Sequence, residues 1–216
     1  MKLRYWIIII VLAASFFRLA FLDLIEFKTD QGYLLYKMAE FHTKPEFFLV
    51  ASKNSAGVHN FPLIYYAFVL LTLPSRDPIV LSFMVALVNV SGIIFFYFMT
   101  RKFYGNFVGA TSALILSLSP WAILYSRQIW TPDLILPLSL PLLYFLHELI
   151  LVKNSKSIWG VIASALLSLQ WHATGIFLSV STAIVILVAR IKVNFKYTFL
   201  GILIGLIPAV PFFAYQ

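Results

Sequence analysis

The sequence has no cysteine and little charge, and these two absences exclude several classes of protein. Without cysteine, its 216 residues can hold neither a disulfide framework nor a thiolate metal site. Charged residues make up 11% of the chain, against about 25% in an average soluble domain. Apolar residues make up 62%, and the mean hydropathy is +0.94. This composition predicts a polytopic membrane protein, with the lipid bilayer as its main solvent.

Several motifs for soluble chemistry are also missing. There is no Gly-rich phosphate loop, no G-x-S-x-G and no H-E-x-x-H, so a nucleotide-using enzyme or a serine hydrolase has no support. The four histidines are scattered, and none pairs at the spacing of helical metal ligands. The net charge is +8, but no aromatic-basic motif accompanies it. The charge is therefore interpreted as a sign of membrane topology, and no nucleic-acid partner is expected.

Apolar runs of membrane length predict about seven transmembrane helices. One helical crossing takes roughly 20 apolar residues. The first run has no convincing cleavage site behind it and is interpreted as a retained signal anchor. The charge-free stretch 157–189 is too long for one helix and has basic flanks, so it is divided at a turn near His172. The predicted spans are 5–22, 78–99, 107–125, 134–152, 158–171, 174–189 and 197–214.

A long first loop, residues 23–77, separates the first two spans and is expected on the extracytoplasmic side. An amphipathic stretch from Asp30 to Phe41 predicts one interfacial helix. The apolar stretch 61–73 is too short to cross and predicts an interfacial or re-entrant helix. The alternative is a simple solvated loop. The fold class is thus an all-α membrane helix bundle, organised as a single module over residues 1–216.

The distribution of charge places the N-terminus in the cytoplasm of a plasma or inner membrane. In this topology the extracytoplasmic side carries seven of the eight acids and seven bases, and Glu148 is the one acid inside. A mixed-charge surface rich in aromatic residues is typical of a binding or catalytic surface. The remaining nine bases lie on the cytoplasmic side, as the positive-inside rule requires: Lys2, Arg4, Arg101, Lys102, Lys153, Lys156, Arg190, Lys192 and Lys196.

Asp30 is the leading candidate for chemistry, since it lies in a polar interruption just after the first span. A carboxylate near an apolar interface suits a general base that takes a proton from a hydroxyl or an amine. The alternative is structural, because Thr29 or Asp30 is well placed to cap the following helix. From position alone the two interpretations are about equal.

Three other polar clusters have both functional and structural interpretations. Arg127 offers a planar fork suited to phosphate, but an ion pair with Asp133 that closes the turn is slightly favoured. His172, between Gln170 and Thr174, either faces a ligand or forms part of a cluster that satisfies itself across helices. His59 opens the segment 61–73 and reads more simply as a surface polar group.

Taken in order, these pieces resemble the N-terminal half of GT-C membrane glycosyltransferases. The group includes the protein O-mannosyltransferases and the aminoarabinose lipid A transferases. The resemblance covers most of the chain. Five elements carry it: Arg18 at the end of the first helix, Asp30-Gln31-Gly32-Tyr33, His59-Asn60-Phe61-Pro62-Leu63-Ile64-Tyr65-Tyr66, a block with Ser119-Pro120, Ser126-Arg127 and Asp133, and Gln170 with His172 and Thr174.

The resemblance implies an integral-membrane glycosyltransferase that uses a polyprenyl- or dolichyl-phosphate sugar as donor. Asp30 would be the catalytic base, and Arg127 and His172 would bind the donor phosphate. Asp133 would be an orienting partner. The other matched residues, expected to contribute to substrate or donor binding, are Gln31, Tyr33 and His59.

Two departures from the family shape this interpretation. Members often carry a second acid where this chain has Gln31, and one carboxylate with an amide holds a divalent ion poorly. We therefore expect no metal, no cofactor and, with a single base, inversion at the anomeric carbon. Members also run to several hundred residues, so the chain is expected to be an N-terminal portion of a longer enzyme.

The sequence names neither the sugar nor the acceptor, which is expected to be a protein, a lipid or a glycan on the extracytoplasmic face. The alternative function is non-catalytic: a transporter- or flippase-like bundle, or a truncated scaffold subunit. A transporter would be favoured by internal repeats, and none is convincing here.

Overall fold

The chain is almost entirely helical in a computed structural model that describes residues 3–54 and 57–215. Short 3₁₀ turns lie at Leu22–Leu24, Thr131–Leu134, Ser155–Ser157 and Ile207–Ala209. The prediction of an all-α fold is confirmed. Lys2, one of the bases assigned to the cytoplasmic side, lies outside the described residues. The α-helices, in chain order, are α1 Leu3–Leu19, α2 Thr29–Thr43, α3 Leu63–Leu71, α4 Pro78–Tyr104, α5 Asn106–Leu118, α6 Pro120–Tyr125, α7 Ile135–Ile150, α8 Ile158–Trp171, α9 Gly175–Val188, α10 Phe195–Leu206 and α11 Val210–Tyr215.

Several helices have the length and composition of membrane spans. In the part of the chain that the structure describes, three reach full crossing length: Pro78–Tyr104, Thr131–Ile150 and Phe195–Tyr215. Shorter apolar helices cover Tyr5–Leu19, Asn106–Leu118 and Gly175–Val188. These helices make the chain an integral membrane bundle, while the count of seven crossings stays a prediction.

The first loop contains helices where the sequence predicts them. The predicted helix from Asp30 to Phe41 is α2, which buries Leu34, Leu35 and Met38. The short apolar stretch becomes α3, whose nine residues rise only about 13 Å and cannot cross a bilayer. These helices favour an ordered loop over a solvated one.

The predicted span 107–125 is not one continuous helix. The α5 helix ends at Leu118, and α6 begins at Pro120 after an extended Ser119 (φ −63°, ψ 119°). Proline has no N–H to donate to the preceding turn, so it begins a new helix more readily than it continues one. Sequence hydropathy, which carries no hydrogen-bond information, misses this break.

By their contacts, the described residues divide into two compact units. The first comprises Met1–Ala39 and Leu71–Leu140, and the second Glu40–Leu70 and Pro141–Gln216. That residues 1–216 act as a single module stays a prediction. The core of the first unit joins α1, α4 and α5 through Ile10, Ala14, Val90, Ile93, Tyr97, Ala110 and Ala113. The core of the second unit joins α7 and α8 through Leu142, Leu149, Ile158, Val161 and Ala165.

A fully buried arginine fixes the end of α1 in the first unit. Arg18 donates from Nη1 to the carbonyl oxygen of Ser117 (2.9 Å) and from Nη2 to that of Leu116 (3.2 Å). In an unbroken helix the Leu116 carbonyl would accept from residue 120, which is Pro120. The guanidinium therefore supplies donors that α5 lacks, at the helix end where the dipole favours a cation.

In the second unit, two glycines allow α10 to approach α8 closely. A Cβ added at Gly201 would lie 2.5 Å from the carbonyl oxygen of Trp159, and one at Gly205 would lie 2.8 Å from Leu166 Cβ. Small residues four apart permit such close helix contact in membranes. Gly32, in α2, differs, because its added Cβ would meet only Phe27, at an ordinary 3.7 Å.

We expect Gly201→Ala and Gly32→Ala to change stability in opposite directions. Gly201→Ala forces α10 away from the α8 backbone and is expected to lower the free energy of unfolding by about 1–3 kcal/mol. Gly32→Ala places alanine in an open helical position and is expected to raise it by about 0.5–1 kcal/mol. Thermal unfolding of the detergent-solubilised variants measures both. Equal or increased stability of Gly201→Ala would contradict the close contact.

Candidate active site

The first unit contains a partly open cavity of about 550 Å³, lined by charged, polar and apolar residues. Its walls come from three segments: the chain after α1, the first turn of α2, and α6 with the turn that follows it. The path after α1 is set by Phe21, which adopts a left-handed conformation (φ 56°) before the 3₁₀ turn. The lining residues are Leu24, Ile25, Glu26, Lys28, Asp30, Gln31, Leu124, Tyr125, Arg127, Gln128 and Trp130.

Asp30 lies in the first turn of α2 with an exposed side chain on the cavity wall. Within residues 3–54 and 57–215, its carboxylate forms no hydrogen bond and no ion pair. The helix cap comes instead from Gln31, whose Oε1 accepts the backbone N–H of Lys28 at 3.0 Å. This is the glutamine half of a capping box. The interpretation of Thr29 or Asp30 as the capping side chain is therefore wrong.

Gln31 is buried, and its carbonyl oxygen is committed to that cap. It occupies the position where the family often has a second acid. A carboxylate there could accept the same N–H, but it would add a second negative charge beside Asp30. The amide fixes the start of α2 without charge, so it determines where Asp30 lies on the wall. Its predicted part in donor binding stays a prediction.

Arg127 reaches the cavity from the turn after α6. Its Nη2 donates a short hydrogen bond to the carbonyl oxygen of Phe21, and its Nε is buried without a partner among the described residues. The guanidinium therefore joins the α6 wall to the chain that leaves α1. It also brings a positive charge to the cavity that holds the carboxylate of Asp30.

The ion pair between Arg127 and Asp133 is absent from the part of the chain that the structure describes. Asp133 is buried in a 3₁₀ turn, does not line the cavity, and leaves its Oδ2 without a partner there. The turn is held instead by Asn89 of α4, whose Nδ2 donates to the carbonyl oxygens of Ser126 (3.5 Å) and Asp133 (3.4 Å). The orienting role of Asp133 stays a prediction.

Five of the charged, polar or aromatic residues that line the cavity were not among the predicted site residues: Glu26, Lys28, Tyr125, Gln128 and Trp130. Glu26 and Lys28 form an exposed ion pair of 2.7 Å, which balances their charges within the cavity. Their closeness to Asp30 in the sequence could have indicated that they line the same site. Tyr125 stacks on Trp121 with the two ring centroids 5.8 Å apart. That contact follows from their i, i+4 spacing on α6.

Tyr33, predicted to bind substrate, lies one turn after Asp30 on α2. Its side chain is exposed, and the Nζ of Lys37 lies 5.9 Å from its ring centroid. It is not among the cavity-lining residues. A contribution of Tyr33 to binding stays a prediction.

The two predicted histidines belong to the second unit. His59 lies at an isolated β-bridge with Lys53; its Nδ1 lies 3.0 Å from the carbonyl oxygen of Ala51, and its ring packs edge-on against Tyr215. Nδ1 of the ring therefore has a local hydrogen-bond partner. A role of His59 in binding stays a prediction.

His172 occupies the turn between α8 and α9, where the sequence predicts a turn. Its Nδ1 lies 2.9 Å from Oγ1 of Thr174. Nearby, Gln170 donates from Nε2 to the carbonyl oxygen of Gly205 on α10 (2.5 Å). The polar cluster thus satisfies part of its own hydrogen bonding, while Oε1 of Gln170 is buried without a partner among the described residues. Burial lowers the pKa of the His172 imidazole from its usual value, because a less hydrated environment disfavours the cation.

No group of three or more histidine, aspartate or glutamate side chains within residues 3–54 and 57–215 is arranged to hold a metal ion. Independence from metals and cofactors stays a prediction.

A comparison with models of known protein families gives a match over most of the chain. A model of the family described as dolichyl-phosphate-mannose-protein mannosyltransferase matches residues 60–215, which is more than half of the sequence. Arg127, Asp133 and His172 lie inside the matched region, whereas Asp30 and His59 lie before it. No curated protein and no solved structure gives a significant match.

Proposed function

Because the chain belongs to the dolichyl-phosphate-mannose-protein mannosyltransferase family of membrane glycosyltransferases, we propose that it transfers a sugar from an isoprenoid phosphate carrier to an acceptor. The family description favours mannose as the sugar and a protein as the acceptor. A lipid or glycan acceptor is the other possibility. No observation favours the transporter-like or scaffold alternative.

One observation carries the proposal: a carboxylate without a hydrogen bond and a guanidinium line the same cavity. In the proposed reaction Asp30 takes the proton of an acceptor hydroxyl. The hydroxyl oxygen attacks the anomeric carbon, the bond from that carbon to the phosphate oxygen breaks, and the isoprenoid phosphate leaves. Arg127 stabilises the charge that develops on the departing phosphate.

Attack by one acceptor oxygen with one base inverts the anomeric configuration. A retaining reaction by double displacement would need a nucleophile as well as an acid-base group. Two carboxylates line the cavity among the described residues: Glu26 pairs with Lys28, whereas Asp30 has no charged partner there. We therefore propose an inverting, metal-independent transferase, with its active site on the extracytoplasmic face and its N-terminus in the cytoplasm.

The test is sugar transfer by the full chain in lipid nanodiscs. A synthetic isoprenyl-phosphate mannose serves as donor, and a serine- or threonine-containing peptide, a glycolipid and an oligosaccharide serve as acceptors. We expect transfer with inversion, read by NMR of the product, and a rate unchanged by EDTA. Transfer with retention would contradict the single-base mechanism. No release or transfer of sugar from the donor would contradict the function.

A further inference from the structure

Two turns of the second unit are strongly basic. One turn joins α7 to α8, and the other joins α9 to α10. The sequence contains no aspartate or glutamate after Glu148. Among the residues that the structure describes, no ion pair involves a base of either turn. We call the two turns together the basic end. Its five bases are all exposed: Lys153, Lys156, Arg190, Lys192 and Lys196.

Helix packing brings the two turns to the same end of the second unit. The α8 and α10 helices run parallel, because the contacts of Gly201 and Gly205 with α8 follow the same order along both helices. Ile191, in the second turn, packs against the core that contains Leu149 and Ile158, which flank the first turn. The five bases therefore belong to one surface.

This surface lies where helices of crossing length stop. Thr131–Ile150 ends three residues before Lys153, and Phe195–Tyr215 begins three residues after Lys192. The basic end is therefore at a membrane surface, at the level of the lipid headgroups. Bases placed directly beside a membrane span attract anionic lipids.

Exposed apolar side chains accompany the bases in both turns. Leu151 and Val152 precede Lys153, and each is more than half exposed. Phe195 precedes Lys196 and is 86% exposed. A soluble anion offers these side chains no partner. A phospholipid offers a phosphate for the bases and, next to it, apolar chains for their neighbours. The pattern therefore favours a lipid over free phosphate or a nucleic acid.

Two of the bases have a backbone conformation that favours glycine. The φ angle is 60° at Lys153 and 49° at Arg190. After α9, the N–H of Arg190 donates to the carbonyl oxygen of Leu187 (3.1 Å), and the N–H of Ile191 donates to that of Ile186 (3.2 Å). This is a Schellman motif with Arg190 at the position where glycine is most common. Each turn thus carries a basic side chain where glycine would suit the backbone better.

The helix dipole and the positive-inside rule account for only part of this pattern. A cation at a helix C-terminus is favourable, which suits Lys153 and Arg190. Lys156 lies just before α8 and Lys196 lies in the first turn of α10, where the dipole disfavours a cation and no acid is present. The positive-inside rule concerns the side of the membrane on which bases lie, and it does not require them at left-handed positions.

We propose that the basic end binds the headgroup of an anionic phospholipid from the adjoining leaflet. Lysine and arginine side chains of both turns donate charge-assisted hydrogen bonds to the phosphate. Leu151, Val152 and Phe195 contact the apolar part of the same lipid. This surface belongs to the second unit, whereas the cavity with Asp30 belongs to the first. The lipid is a bound partner and not a substrate, so the site does not depend on the proposed function.

Lipid binding is measured by native mass spectrometry of the delipidated full chain in detergent. Phosphatidylglycerol is the anionic probe, and phosphatidylcholine with the same acyl chains is the neutral control. We expect the wild type to bind phosphatidylglycerol about tenfold more tightly. Equal affinity for the two lipids overturns the proposal. Glycerophosphoglycerol, the same headgroup without acyl chains, is expected to bind far more weakly. Binding of this soluble anion as tight as that of the lipid also overturns it.

Two double variants test whether the basic end is the site. Lys192→Gln with Lys196→Gln removes two of its bases and is expected to lower the affinity for phosphatidylglycerol at least about fivefold. Lys44→Gln with Lys53→Gln removes the same charge from exposed positions elsewhere in the second unit. This control is expected to stay within about twofold of the wild type. An equal loss in both double variants overturns the proposal, because total charge would then explain the binding.

Lys153→Gly with Arg190→Gly separates lipid binding from folding. Glycine suits both left-handed positions, so we expect a melting temperature equal to or above that of the wild type. The affinity for phosphatidylglycerol is expected to fall at least about fivefold in the same variant. A purely structural role of the two side chains gives the reverse result. A lower melting temperature with unchanged preference for phosphatidylglycerol therefore overturns the proposal.

Discussion

Replacement of Asp30 by asparagine is expected to lower sugar transfer by at least about 100-fold, the lower end of the contribution of a general base. Asparagine keeps the shape of the side chain but cannot take the acceptor proton. Because the carboxylate of Asp30 forms no hydrogen bond among the described residues, its loss removes no structural contact. Initial rates with isoprenyl-phosphate mannose measure the effect, and the melting temperature in detergent checks that the variant is folded.

Glu26→Gln is the matched control for this variant. Glu26 lines the same cavity and loses the same charge, but it pairs with Lys28, and both side chains are more than half exposed. Such pairs contribute little, so we expect turnover within about threefold of the wild type. A loss as large as that of Asp30→Asn would show that the charge of the cavity matters, rather than a base at one position. Full turnover of Asp30→Asn would reject the role of Asp30.

Replacement of Arg127 by glutamine is expected to lower turnover by about 100-fold, which is typical for the loss of one group that stabilises developing negative charge. Arg127→Lys is expected to recover little of it. Lysine keeps the charge, but its three donors radiate from one nitrogen, so an ammonium bound to the Phe21 carbonyl oxygen cannot reproduce the widely spaced, planar donors that a guanidinium presents to a phosphate. The measurement is kcat and KM for the donor, alongside the melting temperature.

Arg76→Gln serves as the control for charge alone. Arg76 is exposed in the segment before α4 and does not line the cavity. Its replacement is expected to leave turnover within about threefold, since isolated surface charges contribute little. If the activity lost in Arg127→Gln were fully explained by unfolding at the assay temperature, Arg127 would hold α6 in place without a part in the reaction.

The elements that the sequence predicted well are those that depend on local chemistry. Basic flanks and helix length predicted the turn at His172, and amphipathic spacing predicted α2. Pro120 in the sequence indicated the break at Ser119. The continuous hydropathy of residues 107–125 nevertheless led to the prediction of a single span. Hydropathy measures transfer to lipid, and it does not register that Pro120 lacks an N–H.

The contacts of the candidate site were harder to predict from the sequence. Arg127 and Asp133 are close in sequence and opposite in charge, so an ion pair was the simple expectation. The extended Trp130 between them (φ −136°, ψ 142°) and the hydrogen bonds from Asn89 direct the two side chains apart. The actual partner of Arg127 is the carbonyl group of Phe21, 106 positions away. Backbone carbonyl groups are common to all residues, so no sequence pattern identifies this one.

The buried guanidinium of Arg18 also has a consequence for biosynthesis. Its acceptors at Leu116 and Ser117 lie 98 and 99 positions further along the chain. While the ribosome is still completing α4, the nascent α1 has a charged side chain without these acceptors, and a charge in the bilayer is costly. We therefore expect the end of α1 to stay near the aqueous interface until α5 is made and supplies the acceptors.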